Sequence, residues 1–257
     1  MKFENSLVVI KSKNQKYLVV LKEGGEFVTE NGKIEYNQIK KLPSIITTST
    51  GDTFKIYSPS YKEFVLLMKR GPQIIYPKDV GQIIIEGNIF SNSKVLELGT
   101  GSGALTLYLI LILGDKGKLI SLDVDNKNQY RAKKTIERYL STFNNEFKFN
   151  LDLINSDLAN FKYSDIQEKV DVVITDLPEP WKFFDFNKIE NQVTWVSYLP
   201  SITQVEKLTH RLRENNFENI EVKEILERSW IIKDKIIRPM NEMVGHTGFV
   251  VSGRLIT

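Results

Sequence analysis

The sequence predicts an α/β protein: a doubly wound, Rossmann-like sheet that ends in a C-terminal antiparallel pair of strands, preceded by a small all-β domain. Three observations carry this. From about Ser91 onward, short apolar runs alternate with longer helix-like stretches, the texture of a parallel sheet covered on both faces. The first of those runs, Val95–Leu98, leads into closely spaced glycines and then a long apolar segment. Residues 1–58 differ, with short β-rich runs separated by turn residues.

In the N-terminal stretch, Leu7–Ile10 and Tyr17–Leu21 read as strands. Asn31-Gly32 is a hairpin signal between Glu26–Thr29 and Lys33–Tyr36, and Ser44–Thr48 and Thr53–Tyr57 flank Gly51-Asp52. Strands so closely spaced predict a small barrel or sandwich. Ser58-Pro59-Ser60 marks the boundary, so that residues 59–257 form the second domain. There Tyr61–Met68 reads as a helix closed by Gly71-Pro72, Val95–Leu98 as a strand and Ala104–Leu113 as a helix buried against the sheet. Leu119–Leu122, Leu151–Ile154, Val170–Ile174 and Val193–Tyr198 are further strands. Asn126–Leu140 and Ile202–Glu214 are helices, the second stopped by Asn215-Asn216. Ile220–Leu226 and Gly248–Leu255 read as strands facing each other, with a loop from Asp234 to His246.

Composition narrows the class. Among 257 residues, 41% are hydrophobic and 26% charged, the balance of an ordinary folded protein rather than a disordered one. A net charge of +3 neither requires nor excludes a nucleic-acid partner. The absence of cysteine removes disulfides, thiolate metal sites and a cysteine nucleophile together, and fits a cytoplasmic protein. Met1–Ser6 is charged and the next apolar run is short, so no secretory signal is expected. The longest apolar stretch, Ala104–Leu113, has about ten residues and is interrupted only by Thr106, whereas a membrane span needs roughly twenty.

The strongest local signal is Glu97-Leu98-Gly99-Thr100-Gly101-Ser102-Gly103-Ala104-Leu105, a strand running through glycines into a helix. Open α/β sheets bind ligands at this edge. A dinucleotide fingerprint needs G-x-G-x-x-G, and a P-loop needs Gly-Lys-Ser/Thr; this loop has neither. Its E-x-G-x-G-x-G spacing is similar to the first motif of class I methyltransferases, where the loop holds the amino-acid part of S-adenosylmethionine. About twenty residues past Gly103, the next strand ends in Asp123, a carboxylate able to accept from both ribose hydroxyls. One strand later, Asn155-Ser156-Asp157 offers another, suited to the adenine amino group. The competing reading is a tight structural turn with acidic caps on the following helices; acids ending two successive strands favour the donor site.

A third strand ends in Asp176-Leu177-Pro178-Glu179-Pro180-Trp181. In a doubly wound sheet this position faces the donor's methyl group. Enzymes that methylate an exocyclic adenine amine carry D/N-P-P-Y/F here, and this loop departs from that pattern at Leu177. Ring N1 needs different help, because its lone pair already lies in the ring plane. A carboxylate accepting from the N6 amine would orient the base and stabilise the positive charge that methylation creates. Alternatively, Asp176 is a loop cap.

Together these motifs resemble those of the tRNA (adenine-58-N1)-methyltransferases, in their archaeal and bacterial single-gene form. The likeness rests on Gln73-Ile74-Ile75-Tyr76-Pro77-Lys78-Asp79, on Glu97–Leu105 and on Asp176–Trp181. It continues through Tyr198-Leu199-Pro200-Ser201-Ile202-Thr203-Gln204-Val205, Glu227-Arg228-Ser229-Trp230, Arg238-Pro239 and Met243-Val244-Gly245-His246-Thr247-Gly248-Phe249. It covers roughly Arg70 to the C-terminus, and residues 1–58 fit only as the family's small β domain. The resemblance implies a homotetramer, S-adenosylmethionine as donor, and as acceptor adenine 58 in the T-loop of tRNA, with position 57 left open. It implies a single-step transfer without a metal. It implies that the loop of Glu97, Gly99 and Gly101 presents Ser102, Gly103, Ala104 and Leu105 to the donor, with Asp123 on its ribose and Asp157 near its adenine. Asp176 would be the catalytic carboxylate. Tyr76 and Tyr198 are candidates to stack on or flank the extruded base, and Arg228, Arg238 and His246 to contact RNA.

Blander readings stand beside these. The two tyrosines could be core residues, the arginines solvated or at a subunit interface, and His246 part of a tight turn. His210 reads as surface or packing, and Trp181 as shaping the pocket. The chain also departs from the family: Lys182–Gln192 lacks the usual Gly-Gly turn, and the ribose acid is Asp123 rather than Glu. Two other functions remain. One is a methyltransferase for a protein or small-molecule acceptor, disfavoured because Asp176 would face a carboxylate nucleophile. The other is a non-catalytic tRNA-binding subunit, which would be expected to lose Gly99, Gly101, Gly103 and Asp176.

Overall fold

The structure, a computed structural model, describes residues 4–30, 32–68, 73–143, 146–157, 161–163, 166, 169–182, 192–233 and 235–256. Contacts divide the chain into two units, Met1–Pro72 with Lys133–Phe147, and Gln73–Ala132 with Lys148–Thr257.

In the first unit the strands are β1 (Leu7–Lys11), β2 (Lys16–Val20), β3 (Glu26–Thr29), β4 (Gly32–Glu35), β5 (Ser44–Thr47) and β6 (Thr53–Tyr57), with more and less exposed positions alternating along β3 to β6 and β1 buried from Leu7 to Ile10. In β6 only Phe54 and Ile56 are fully buried. The antiparallel order is β2-β1-β6-β5, with β3–β4 a separate hairpin. Val8, Ile10, Phe54 and Ile56 from the sheet share one core with Ile34 and Tyr36 from the hairpin side, a sandwich-like arrangement. Asn31 of the expected hairpin signal lies outside the described residues. Helix α1 (Tyr61–Leu67) begins with a capping box, in which the Ser60 hydroxyl accepts from the Glu63 N–H and the Glu63 carboxylate from the Ser60 N–H. The expected stop at Gly71-Pro72 lies outside the described residues.

The second unit starts with α2 (Pro77–Glu86), which the sequence reading did not anticipate. Its signals were present: proline in the first turn, Asp79 close behind, and Val80 and Ile83 on one face. There follow in chain order β7 (Lys94–Leu98), α3 (Ala104–Leu113), β8 (Lys118–Asp123), α4 (Asn126–Leu140, of which Lys133–Leu140 belong to the first unit), β9 (Leu151–Asn155), β10 (Val172–Thr175), β11 (Val193–Leu199), α5 (Ile202–Glu214), β12 (Phe217–Glu224), β13 (Trp230–Lys233), β14 (Ile236–Pro239) and β15 (Phe249–Leu255). Among the described residues seven strands form one sheet in the order β12-β15-β11-β10-β7-β8-β9. The pairs from β11 through β9 are parallel, and β15 runs antiparallel to both β11 and β12. The order reverses at β7, which pairs with β8 on one side and β10 on the other, so a crevice opens at the carboxyl ends of these strands.

The core packs Leu96 and Leu98 of β7, Leu122 of β8, Val173 of β10 and Trp195 of β11 with Val205, Leu208 and Leu212 on one face of α5. Helix α3 is apolar nearly all round and correspondingly buried. No helix of the described residues is long and apolar enough to cross a membrane.

Two expectations at the C-terminal end are corrected. Strand β12 starts at Phe217 rather than Ile220, because Asn216 adopts φ 59° and turns the chain straight out of α5. The stretch read as a loop from Asp234 carries β14, paired with β13 from Trp230 opposite Pro239 to Lys233 opposite Ile236. Its β-branched isoleucines are what a two-stranded hairpin uses.

Trp195 has no solvent exposure, and its indole N–H donates to the Ser197 hydroxyl at 2.8 Å. Trp195→Ala is expected to destabilise the fold by about 3–5 kcal/mol. A calorimetric melt would register this as a fall of roughly ten degrees.

Candidate active site

The site is built where β7, β8, β10 and β11 end. Gly99 follows β7 at φ 101°, and a Cβ placed there would lie 2.5 Å from the Asp176 carbonyl oxygen. Only glycine allows that approach. The neighbouring Asp176 N–H donates to the Leu98 carbonyl at 3.0 Å, which brings the glycine loop and the end of β10 together. Gly99 N–H also donates to the Leu122 carbonyl at 2.8 Å, tying the loop to β8. Gly101 has φ 53° and open space where a side chain would stand, which leaves a cradle in the loop. Gly103 caps α3, and Ser102, Ala104 and Leu105 are nearly buried at its first turn.

Asp123, at the end of β8 and 9% exposed, grips this loop. One carboxylate oxygen accepts the Gly101 N–H at 2.9 Å, the other the Asp125 N–H at 2.8 Å. The Asn155 side-chain amide donates to the Asp123 and Val124 carbonyls at 2.9 and 3.0 Å, holding the ends of β8 and β9 together. Asp157 is exposed just beyond β9.

Glu97 is different in kind. It has no solvent exposure, and one oxygen accepts from the hydroxyls of Ser121 (2.5 Å) and Thr106 (2.7 Å). The other has no partner among the described residues. Burial pushes its carboxyl up to about 8, against the pull of the two hydroxyls and with Asp176 and Asp123 adding negative charge nearby. At neutral pH it is therefore mostly a neutral acid that stitches β7, β8 and α3 beneath the loop. Thr106 interrupts the apolar run of α3, and Ser121 that of β8. Their signal is being lone hydroxyls in otherwise apolar segments, which must find a buried partner.

Asp176 keeps access to solvent, yet protein surrounds its carboxyl on most sides, and this crowding governs its titration. Desolvation pushes it up to about 6, so it is largely ionised at neutral pH. Its loop is held from α5, whose Gln204 side chain donates to the Pro178 carbonyl at 2.9 Å. Trp181 packs on the core beneath Lys207, whose ammonium lies 5.3 Å from the ring centre. Residues 183–191, where the family's Gly-Gly turn is missing, lie outside the described residues.

The two tyrosines differ. Tyr76 caps α2 and is 37% exposed. Tyr198, at the end of β11, is buried and donates its hydroxyl to the Thr247 carbonyl at 2.6 Å. Burial raises its phenol to about 12, and the charges of Asp79 and Asp176 add to this. Beside it lies a network absent from the sequence reading. The Lys78 ammonium donates to Asp79 (2.7 Å), to the Ile225 carbonyl (2.8 Å) and to the Thr247 hydroxyl (2.6 Å), which in turn donates to the other oxygen of the fully buried Asp79 (2.7 Å). His246 directs Nδ1 at the Glu224 carboxylate (2.6 Å) and Nε2 at the Pro200 carbonyl (3.0 Å). Both partners are acceptors, and the Glu224 contact raises the ring's pKa above the ordinary value. Arg228 and Arg238 are exposed around the β13–β14 hairpin, and Arg238 donates to the Asn241 side chain at 3.0 Å.

A sheet of this order, with a glycine loop after its first strand and acids ending the next ones, is the class I S-adenosylmethionine-dependent methyltransferase fold. Similarity to known proteins narrows the class. The family profile described as "tRNA methyltransferase complex GCD14 subunit" matches residues 58–237. The chain is 32% identical to the tRNA (adenine(57)-N(1)/adenine(58)-N(1))-methyltransferase of Methanocaldococcus jannaschii, over 96% of this chain and 94% of the relative. It is 29% identical to the tRNA (adenine(58)-N(1))-methyltransferase of Thermus thermophilus, over 99% and 98%. Among solved structures, the tRNA (m1A58) methyltransferase of Aquifex aeolicus aligns with a TM-score of 0.82 at 29% identity, covering 99% of this chain and 98% of that one. A SAM-dependent O-methyltransferase of Thermotoga maritima aligns at 0.88 and 25%, covering 98% and 94%. The chain belongs to this tRNA methyltransferase family.

Glu97 also makes stability depend on pH. Between its ordinary value of 4.5 and about 8, the folded chain holds a proton here that the unfolded chain has released. Stability from this group is therefore full at low pH and lost as pH rises through about 8. Glu97→Gln removes that dependence. Denaturant unfolding should show the variant gaining on the parent by on the order of 1 kcal/mol per pH unit across the window. A gap between the two that does not change with pH would contradict the assignment.

Proposed function

We propose that this chain transfers the methyl group of S-adenosylmethionine to N1 of adenine 58 in the T-loop of tRNA, in the cytoplasm. The observation that carries the reading is Asp176: a solvent-accessible carboxylate at the end of β10, its backbone held against the glycine loop, in a chain of the tRNA methyltransferase family.

The residues present fit the donor. The cradle at Gly101 is open, the Asp123 carboxylate stands at its edge, and Asp157 is exposed at the next strand end. In this reading Glu97 and Gly99 shape the loop, and Ser102, Gly103, Ala104 and Leu105 line it at the start of α3. When bound there, S-adenosylmethionine supplies an electrophilic methyl group. The chain's own residues do the rest. The target base must leave the tRNA stack, which costs a few kcal/mol. Tyr76, half-exposed at the tip of α2, stacks on the extruded base, and the buried Tyr198 walls the pocket. Asp176 accepts a hydrogen bond from the N6 amine, so that the N1 lone pair points at the donor side and the positive charge that develops on the ring meets a fixed negative charge. Arg228 and Arg238 hold phosphates and orient the RNA without reading its sequence. His246, the third candidate for RNA contact, has both ring nitrogens already engaged by Glu224 and the Pro200 carbonyl.

The β13–β14 hairpin supports an oligomer. An isolated two-stranded hairpin is marginal in water. This one exposes Ile232 (77%) and Ile237 (70%), paired opposite each other, next to Trp230 and Ile236. We propose that these apolar strands are covered by other copies of the chain in a homotetramer.

Incubating the protein with labelled S-adenosylmethionine and unmodified tRNA, then mapping the modified nucleoside, is expected to yield 1-methyladenosine at position 58, and the same map reads position 57. No 1-methyladenosine with donor binding intact would sink the reading. Asp176→Ala should lower kcat by about a hundred- to a thousandfold while calorimetry shows the donor still bound. Because only the ionised carboxylate sets a negative charge against the cation that develops on the ring, kcat should rise with pH through about 6 and then level off. Full activity of the alanine variant would overturn the mechanism. For the assembly, light scattering should report four chains for the parent and a smaller species for Ile232→Glu/Ile237→Glu; an unchanged mass would reject the hairpin as the contact.

A further inference from the structure

We infer that the segment His246-Thr247-Gly248 is a buckle that positions Tyr198 beside Asp176, with Lys78 and Asp79 as its anchor and Thr247 as the residue through which it acts. The inference rests on the proposed reaction for its effect on rate, and on geometry alone for its effect on Tyr198.

Three elements end near this segment without touching in sequence: the start of α2, the end of β11 and the end of β12. The buckle joins all three. Its Thr247 hydroxyl sits between the Lys78 ammonium (2.6 Å) and the Asp79 carboxylate (2.7 Å), donating to the second and accepting from the first. The same ammonium reaches the Ile225 carbonyl just past β12 (2.8 Å). The Thr247 carbonyl takes the Tyr198 hydroxyl (2.6 Å). At Gly248 the Tyr198 ring lies against the backbone itself, since an added Cβ would stand 2.5 Å from the ring carbon that bears the hydroxyl. His246 closes the outer side, bonding to Glu224 at the end of β12 and to the Pro200 carbonyl two residues after Tyr198.

The arrangement has little freedom. Asp79 has no solvent exposure and the Lys78 side chain 10%. Lys78 and Asp79 hold each other at 2.7 Å, and the Thr247 hydroxyl completes the set by satisfying the second Asp79 oxygen, so its departure leaves a buried carboxylate oxygen without a partner. Whatever moves Thr247 therefore moves the acceptor atom of Tyr198. Tyr76 caps the same helix that carries Lys78 and Asp79, so the anchor sets both aromatic walls of the proposed base pocket. None of Lys78, Asp79 or Thr247 contacts the reacting atoms in the proposed reaction; they are positioning residues.

The test compares Thr247→Val, Thr247→Ser and Gly248→Ala in the full-length protein. Valine keeps the volume and loses the hydroxyl, serine restores it, and alanine pushes on the ring directly. Fluorine NMR on fluorotyrosine-labelled protein, with the Tyr198 signal assigned by its loss in Tyr198→Phe, is expected to show that signal shifted in Thr247→Val and Gly248→Ala and returned to the parent position in Thr247→Ser. With unmodified tRNA, kcat should fall by on the order of ten- to a hundredfold in the first two variants, with the tRNA KM and donor affinity nearly unchanged, and recover in Thr247→Ser. A Tyr198 signal that stays in place in Thr247→Val overturns the buckle whatever the activity. Loss of kcat that serine does not recover overturns it also. If the parent itself fails to methylate tRNA while the Tyr198 signal responds as expected, the proposed reaction falls and the buckle stands.

Discussion

The close approach of two backbone segments, Gly99 after β7 and Asp176 after β10, is the constraint on which the site depends. The Asp176 N–H reaches the Leu98 carbonyl at 3.0 Å, and Gly99 passes the Asp176 carbonyl so closely that no side chain fits between them. Parallel pairing of β7 with β10 sets this proximity, and the reversal of strand order at β7 puts it at the mouth of the crevice. The glycine loop and the carboxylate of β10 are thus held at a fixed separation by the sheet rather than by flexible side chains. Positional precision of this kind is what orientation and preorganised electrostatics need.

Three acids around that point show how environment alone divides one functional group into different tasks. Glu97 is sealed in and mostly neutral, so it serves as an internal hydrogen-bonded strut. Asp123 spends its oxygens on the backbone N–H groups of Gly101 and Asp125, which shapes the loop and leaves its edge at the crevice. Asp176 is crowded but open, ionised at neutral pH with little to neutralise it. An unneutralised carboxylate in a recess is suited to meeting a positive charge that appears only during reaction, which is the role the proposed methylation of a ring nitrogen gives it.

The second sheet edge adds a different principle. The antiparallel insertion of β15 between β11 and β12 brings the segment before it, Gly245–Gly248, back across the ends of three elements. That return is what allows one short loop to bond α2, β11 and β12 at once. The family resemblance rested partly on this block as a motif. In the folded chain its polar groups are turned mainly on the protein itself, through Thr247 to Lys78 and Asp79 and through His246 to Glu224 and Pro200.

By itself the sequence determined the α/β class, the strands of the seven-stranded sheet apart from the first residues of β12, and the loop spacing that separates this chain from dinucleotide and phosphate binders. Those features are local: hydrophobic period, glycine spacing and the residue that ends each strand. Helix α2 and the β13–β14 hairpin were locally encoded too, in Pro77, Asp79 and the paired isoleucines, but their signals are short and were read as motif and loop. Only the tertiary structure decided which acid is buried and which is open, that Thr106 and Ser121 meet at Glu97, and that Lys78 meets Thr247. Each of these depends on residues far apart in the chain, brought together by strand order and by the requirement that buried polar groups find partners. No pattern in the linear sequence states which partner that will be.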